Sequence, residues 1–170
     1  MKTLIVIDMQ NDFISGSLGT KEAQAIVPNV KKKIEEYVVR EDEIIFTRDT
    51  HGKNYLKTNE GKNLPVEHCI VGTYGWEIAE GLGSQDYSCT YIDKNTFGWN
   101  YWNELNFEDG DEIEIVGLAA DICVISNALI LRSLFPECKI IVDSKCTAGT
   151  TNENYQSALN VMRSCQIEVI

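Results

Sequence analysis

Two histidines, three prolines and no C-x-x-C pair mark this 170-residue chain by what it has little of. Its six cysteines fall singly, at positions 69, 89, 123, 138, 146 and 165, without the spacing of a small disulfide scaffold. That pattern points to a reduced, cytoplasmic protein in which most cysteines, Cys69 among them, pack as small hydrophobes. Basic residues are also short, with 15 Lys and Arg against 26 Asp and Glu and a net charge of −11. The one basic run, Lys31-Lys32-Lys33, lies in a helical pattern and reads as a solvated face, which argues against nucleic acid or anionic membrane as a partner. No apolar run approaches the roughly 20 residues needed to cross a bilayer, and the opening Met1–Asp8 turns acidic too soon for a signal peptide. Internal repeats, low-complexity tracts and Pro/Gly-rich linkers are missing as well. With 44% hydrophobic residues, the expectation is a single domain over 1–170 with a substantial core.

What is present is a series of Val- and Ile-rich runs at Thr3–Asp8, Glu43–Arg48, Ser88–Asp93, Glu112–Leu118, Lys139–Val142 and Ile167–Ile170. Near-continuous apolarity suits strands covered on both faces, as in a parallel sheet. Helical periodicity lies between them. Ile26, Val30, Ile34, Tyr37 and Val38 share one face, with Pro28 acceptable in a first turn. A second helix is expected from Cys123 to Leu134, and a third after a capping box formed by Thr150 and Glu153. Alternating strands and helices predict a three-layer α/β/α sandwich around a mainly parallel sheet of about six strands. Thr50 to Thr73 follows neither period and holds both histidines. A loop that long in a compact domain is usually functional.

In open α/β sheets, ligands bind outside the carboxyl ends of the strands. Asp8, Asp49, Lys94 and Asp121-Ile122-Cys123 each lie at or just past such an end, so four strands aim reactive side chains at one crevice. Cys123 also falls in the first turn of a helix, where unpaired N–H groups and the macrodipole favour thiolate over thiol and can hold an oxyanion. A cysteine nucleophile needs a proton acceptor. If His51 and His68 both bind metal, Asp8 is the candidate, since burial raises a carboxylate pKa toward a useful range. Lys94 is placed to orient that carboxylate and offset negative charge. Asp49 and His51, at i and i+2, project the same way in an extended segment, and His68 returns to make a third ligand. Such a set suits Zn²⁺, Fe²⁺ or Mn²⁺ with positions left open. Glu60 and Glu67 are candidate further ligands, Glu60 the better placed because Glu67 adjoins His68. Asp121 reads as an N-cap accepting from an N–H at or after Cys123.

Five segments, Ile7-Asp8-Met9-Gln10-Asn11-Asp12-Phe13, Thr47-Arg48-Asp49-Thr50-His51, His68-Cys69-Ile70-Val71-Gly72-Thr73, Lys94 and Gly117-Leu118-Ala119-Ala120-Asp121-Ile122-Cys123, run in order through the chain. Together they resemble the isochorismatase-like cysteine hydrolases, and the metal-ligand pattern resembles the nicotinamidase/pyrazinamidase branch. The resemblance implies a catalytic triad of Asp8, Lys94 and Cys123 and a divalent metal on Asp49, His51 and His68, with Glu60 as fourth ligand. It also implies a non-proline cis peptide at Leu118–Ala119, an oxyanion hole from the N–H groups of Ala119 and Cys123, and a homo-oligomer. One departure stands out. Such enzymes commonly carry a tryptophan shortly before the second metal histidine, where this chain has Leu64-Pro65-Val66-Glu67. Phe13 is retained, and Phe97 or Trp99 is expected to supply the missing aromatic wall. The expected reaction is conversion of nicotinamide, or a similar heteroaromatic amide, to the acid and ammonia through a thioester. The alternative keeps the triad but takes another small amide, with the metal structural.

Overall fold

The computed structural model describes residues 1–83 and 87–170. In chain order its principal elements are β1 (Lys2–Ile7), α1 (Asn11–Ile14), α2 (Lys21–Arg40), β2 (Glu43–Asp49), α3 (Asn59–Asn63) and β3 (Thr90–Lys94). The second half contributes β4 (Glu112–Leu118), α4 (Ile125–Leu134), β5 (Lys139–Ala148), α5 (Asn152–Ser164) and β6 (Glu168–Val169). Among the described residues the strands form one parallel sheet in the order β3-β2-β1-β4-β5-β6. Strand order therefore reverses between β1 and β4, where chain leaving the sheet in opposite directions opens a crevice.

Period-two alternation decides which side chains meet which helices. Leu4, Val6, Ile44, Phe46 and Val116 pack with Ala23, Ile26, Val30, Ile34 and Tyr37 of α2. Ile5, Ile7, Ile113, Ile115 and Val142 pack on the other face, against Ala128 and Leu131 of α4 and Ala158, Leu159 and Met162 of α5. Each fully buried Val, Leu, Ile, Phe or Met side chain contributes about 1.5–3 kcal/mol, so the two cores hold the sheet between both helical layers. The expected three-layer sandwich is what forms. No helix of the described residues is long and apolar enough to cross a membrane.

Several local expectations are corrected. Helix α2 begins at Lys21, where the Thr20 side chain accepts from Ala23 N (3.0 Å), so Pro28 lies in the helix interior rather than a first turn. Lys33 is no solvated residue. Three positions on from buried Val30, it flanks the packed face and reaches Glu114 (2.6 Å) and Asp143 (3.0 Å) on the sheet. Strand β5 continues past Val142 to Ala148, its polar Asp143-Ser144-Lys145 interrupting the apolar pattern but not the strand. Helix α5 is capped by Thr151, which accepts from Asn154 N (3.1 Å), rather than by Thr150 and Glu153. The stretch from Thr50 to Thr73 is not one loop but contains α3 and a single 3₁₀ turn, Tyr55–Lys57.

One glycine is required by geometry. Gly117 (φ +115°) lies beside Ile7 in the β1–β4 pairing, and a Cβ there would come 2.1 Å from the Ile7 carbonyl oxygen.

Candidate active site

Strand β1 ends at Ile7, and Asp8 turns the chain out of the sheet with φ +48°. Its N–H still reaches Thr47 O (3.2 Å), and the Thr47 hydroxyl donates to Asp8 Oδ1 (2.6 Å), fixing the carboxylate on neighbouring β2. Lys94, the last residue of β3, brings Nζ to 2.6 Å from Asp8 Oδ2 and 3.6 Å from Cys123 Sγ, while donating to Thr96 O (3.1 Å). All three groups are buried. Asp8 Oδ2 is thus held by the Lys94 ammonium and Oδ1 by the Thr47 hydroxyl.

Burial raises the Asp8 pKa, and the charge of Asp49 adds to this, against the opposing effect of Lys94. For Lys94 burial works against the charge, but Asp8, Cys123 and Asp49 outweigh it and hold the ammonium protonated. Burial, then the Asp8 charge, pushes the Cys123 thiol well up, and Lys94 only partly offsets them. This corrects the expectation of a thiolate favoured by a helix N-terminus. Burial therefore favours the thiol form of Cys123 in the resting site.

Cys123 lies in a single π-helical turn, Ala120–Val124, that leads into α4. The Leu118–Ala119 peptide is cis, as the resemblance implies. The N–H groups of Ile122 and Val124 both donate to Ala119 O (3.1 and 3.0 Å), which tightens the turn. Asp121 does not cap this helix. Its carboxylate accepts from Thr150 N (2.8 Å) and the Thr150 hydroxyl (2.5 Å), tying the turn to the start of α5.

Beside the triad, Asp49, His51, Glu60 and His68 each present a ligand atom within 4.8 Å of the others. Asp49 Oδ2 is 2.8 Å from His51 Nε2 and 3.3 Å from His68 Nε2, and Glu60 Oε1 is 3.5 and 3.6 Å from the same nitrogens. Glu60 enters from the first turn of α3, whose N-cap Thr58 accepts from Gly61 N (3.0 Å). Glu67 is not in this group. His68 Nδ1–H donates to Val66 O (2.8 Å), which fixes the ring orientation and directs Nε2 inward toward Asp49 and Glu60. Two imidazoles and two carboxylates, convergent and mostly buried, fit a divalent cation such as zinc. Burial works against the charge of Asp49, yet hydrogen bonds from His51 and His68 and the charge of Lys94 hold it below the usual carboxylate range. Burial lowers the His68 pKa, but Asp49, Glu60 and the Val66 carbonyl outweigh it, to about 10 without a cation.

A cavity of about 800 Å³ opens onto His51 and Glu60 and is walled by Phe97, Ile122 and Leu64. Of the two aromatics expected to form a wall, Phe97 lines this cavity. Trp99 does not line this cavity; it packs edge-on against Trp102 (4.9 Å between rings). Nor does Phe13 line it, although its ring lies 5.5 Å from that of His68. Three supporting residues escaped the sequence reading. Thr47 is one. Asp12 accepts from Cys69 N (2.8 Å), fixing the turn after His68. Asn127, fully buried, donates to Cys123 O (2.8 Å) and accepts from Trp99 N and Trp102 Nε1 (both 2.9 Å). Asn127 lies four residues past Cys123 in a helix where a buried amide is unexpected, and that spacing was the available signal.

The isochorismatase domain family matches residues 2–170. A nicotinamidase/pyrazinamidase of Mycobacterium tuberculosis is 26% identical over 191 residues, covering 100% of this chain and 98% of that protein. A solved pyrazinamidase/nicotinamidase from Streptococcus mutans superposes with TM-score 0.86 at 27% identity, covering 100% of both chains. A pyrazinamidase of Pyrococcus horikoshii solved in complex with zinc gives TM-score 0.81 at 26% identity, covering 99% of this chain and 98% of that one.

Proposed function

The chain is a member of the isochorismatase family, and from that membership we propose that it is a cysteine-dependent amidohydrolase converting nicotinamide, or a similar heteroaromatic amide, to the acid and ammonia. The observation that carries this reading is the convergence of Asp8, Lys94 and Cys123 beside a four-ligand cluster.

Asp8 removes the Cys123 proton as the sulfur attacks the amide carbonyl. The N–H groups of Ala119 and Cys123 receive the oxyanion, and Lys94 offsets the negative charge that builds up between carboxylate and sulfur. As the tetrahedral intermediate collapses, the C–N bond breaks, Asp8 returns the proton to nitrogen, and ammonia leaves a thioester. Asp8 then takes a proton from water, which attacks the thioester; the carboxylic acid departs and the proton goes back to sulfur. A raised Asp8 pKa suits a group that must both accept and return a proton. Asp49, His51, Glu60 and His68 hold one divalent ion, zinc by donor type, which when bound supplies a Lewis-acid anchor for the heteroaromatic nitrogen. Phe97 provides an apolar wall to orient the ring. The same reading includes one domain over 1–170, a homo-oligomer and a cytoplasmic setting.

Ammonia release from nicotinamide should disappear in Cys123→Ala while the circular dichroism spectrum is retained; undiminished turnover in that variant refutes the covalent route. One feature favours the second reading, a different small amide. Where such enzymes commonly carry a tryptophan this chain has Leu64-Pro65-Val66-Glu67, and Leu64, Asn54, Asn59, Asn63 and Asn95 line the cavity. A panel of small amides ranked by kcat/KM decides between them.

A further inference from the structure

The geometry points to Gln10 as a positioning residue that holds Asp49 in the orientation a metal ligand needs. This rests on the reading of Asp49, His51, Glu60 and His68 as a cation site.

Strands β1 and β2 are paired in parallel only as far as Ile7 and Thr47. At Asp8 the chain leaves the sheet, so β2 runs two residues beyond the end of its partner. On the β3 side the neighbouring residue is served, because Thr50 N donates to Lys94 O (2.8 Å). On the vacated side, Asp49 would be left with an N–H and a C=O and no strand to meet them, which is costly in a buried position.

The Gln10 side chain takes that place. Its Oε1 accepts from Asp49 N (2.7 Å), and its Nε2 donates to Asp49 O (2.8 Å). One primary amide thus presents the donor and acceptor of a missing peptide unit. The second Nε2 hydrogen goes to Trp76 O (2.7 Å), so the amide is pinned from a third direction. The backbone of Gln10 is anchored as well. Its N–H donates to Asp8 O (2.7 Å), and it bridges Ile78 in antiparallel fashion. No surface of Gln10 meets solvent. With both backbone groups clamped, Asp49 keeps extended geometry to the end of β2, and its side chain projects to the same side as His51. Without the clamp, Asp49 would be free to rotate and the 2.8 Å approach to His51 would no longer be enforced. Gln10 touches neither substrate nor reacting atoms; it acts through Asp49.

The test is a Zn²⁺ titration in metal buffers of the metal-free wild-type protein, Gln10→Met and Gln10→Glu. Methionine keeps the volume and removes all three hydrogen bonds; glutamate keeps the acceptor but sets a carboxylate against two carbonyl oxygens. Both variants should need about 10- to 100-fold more free Zn²⁺ for half-loading. Alkylation of Cys123 by iodoacetamide, followed on its own peptide by mass spectrometry, should keep the wild-type rate, because Asp8 is held by Thr47 and Lys94. A purely structural role would lower the melting temperature of the metal-free variants and leave half-loading unchanged, and that result overturns the proposal. A wild-type protein that takes up no Zn²⁺ overturns both this assignment and the metal site on which it rests. Should neither variant fold, amide exchange in the metal-free wild type decides. An Asp49 N–H protected as well as those in the interior of β2 supports the clamp, and exchange at the rate of an exposed loop overturns it.

Discussion

Two buried clusters in this molecule are built from nearly the same parts and have opposite characters. On the α2 side of the sheet, Lys33 meets Glu114 and Asp143, Glu114 accepts from the Tyr37 hydroxyl (2.7 Å), and Asp143 accepts from Lys145 N (2.9 Å). At the strand ends, Lys94 meets Asp8 and lies 3.9 Å from Asp49, with the Cys123 thiol alongside. Both combine one lysine with two carboxylates. In the first cluster the carboxylates are tied to the Tyr37 hydroxyl and the Lys145 N–H, and the cluster joins α2 to the sheet away from the strand ends. In the second, the carboxylate of Asp8 and the thiol of Cys123 flank one ammonium at the ends of the strands, where a proton can pass between them. The same charges that hold a helix to a sheet in one place are set, at the strand ends, beside a thiol and a crevice, where proton transfer is useful.

Exchanging parts between the two roles should break the symmetry cleanly. Asp8→Asn removes the base and should lower ammonia release by roughly 10²–10⁴-fold, with Zn²⁺ uptake retained. An Asp8→Asn enzyme with near-normal kcat would dissolve the distinction. His51→Ala should lose the cation and raise the nicotinamide KM by roughly tenfold or more through poorer positioning, with a smaller change in kcat. Steady-state kinetics beside metal analysis checks this, and an unchanged KM in a metal-free variant would assign the cation a structural role. Lys33→Met should do the reverse, costing about 1–3 kcal/mol of stability, read from the urea midpoint, with kcat/KM within about twofold of wild type. The smallest effect concerns pH. Burial opposes the Asp143 charge, but Lys33 and the Lys145 N–H outweigh it and hold the carboxyl below its ordinary range. A depressed pKa contributes stability that is present above about pH 3.9 and is lost as pH falls through the folded-state value. The stability gap between wild type and Asp143→Asn should therefore narrow below about pH 4, and a gap independent of pH would remove Asp143 from the cluster.

The second cluster was readable in the sequence and the first was not, for a physical reason. Asp8, Asp49, Lys94 and Cys123 each stand at or just past an apolar run, and a parallel sheet gathers strand ends on one side wherever its strands are placed. Their convergence needed only strand positions. Lys33 meets Glu114 across 81 positions of sequence and Asp143 across 110, and its neighbours Lys31 and Lys32 made it look like surface. Gln10 and Asn127 were overlooked because a buried amide announces itself only when its partners are known. Phe97 and Trp99 lie two apart on the same loop, and which one faces the cavity depends on a loop conformation held by Asn127, which bonds the backbone of both. The helical turn carrying Glu60 was hidden because five residues are too few to establish a period.

Gly117 sets a limit on how this enzyme can diversify. It fixes the spacing between the strand that leads to Asp8 and the strand that leads to Cys123, and even one methyl group there would wedge them apart. Reach between sulfur and carboxylate is therefore not adjustable by side-chain choice at that point. The cavity walls around Leu64 and Phe97 lie on chain outside the sheet and can be exchanged without altering that reach. New amides would be accommodated by revising those walls while the interval between β1 and β4 stays constant.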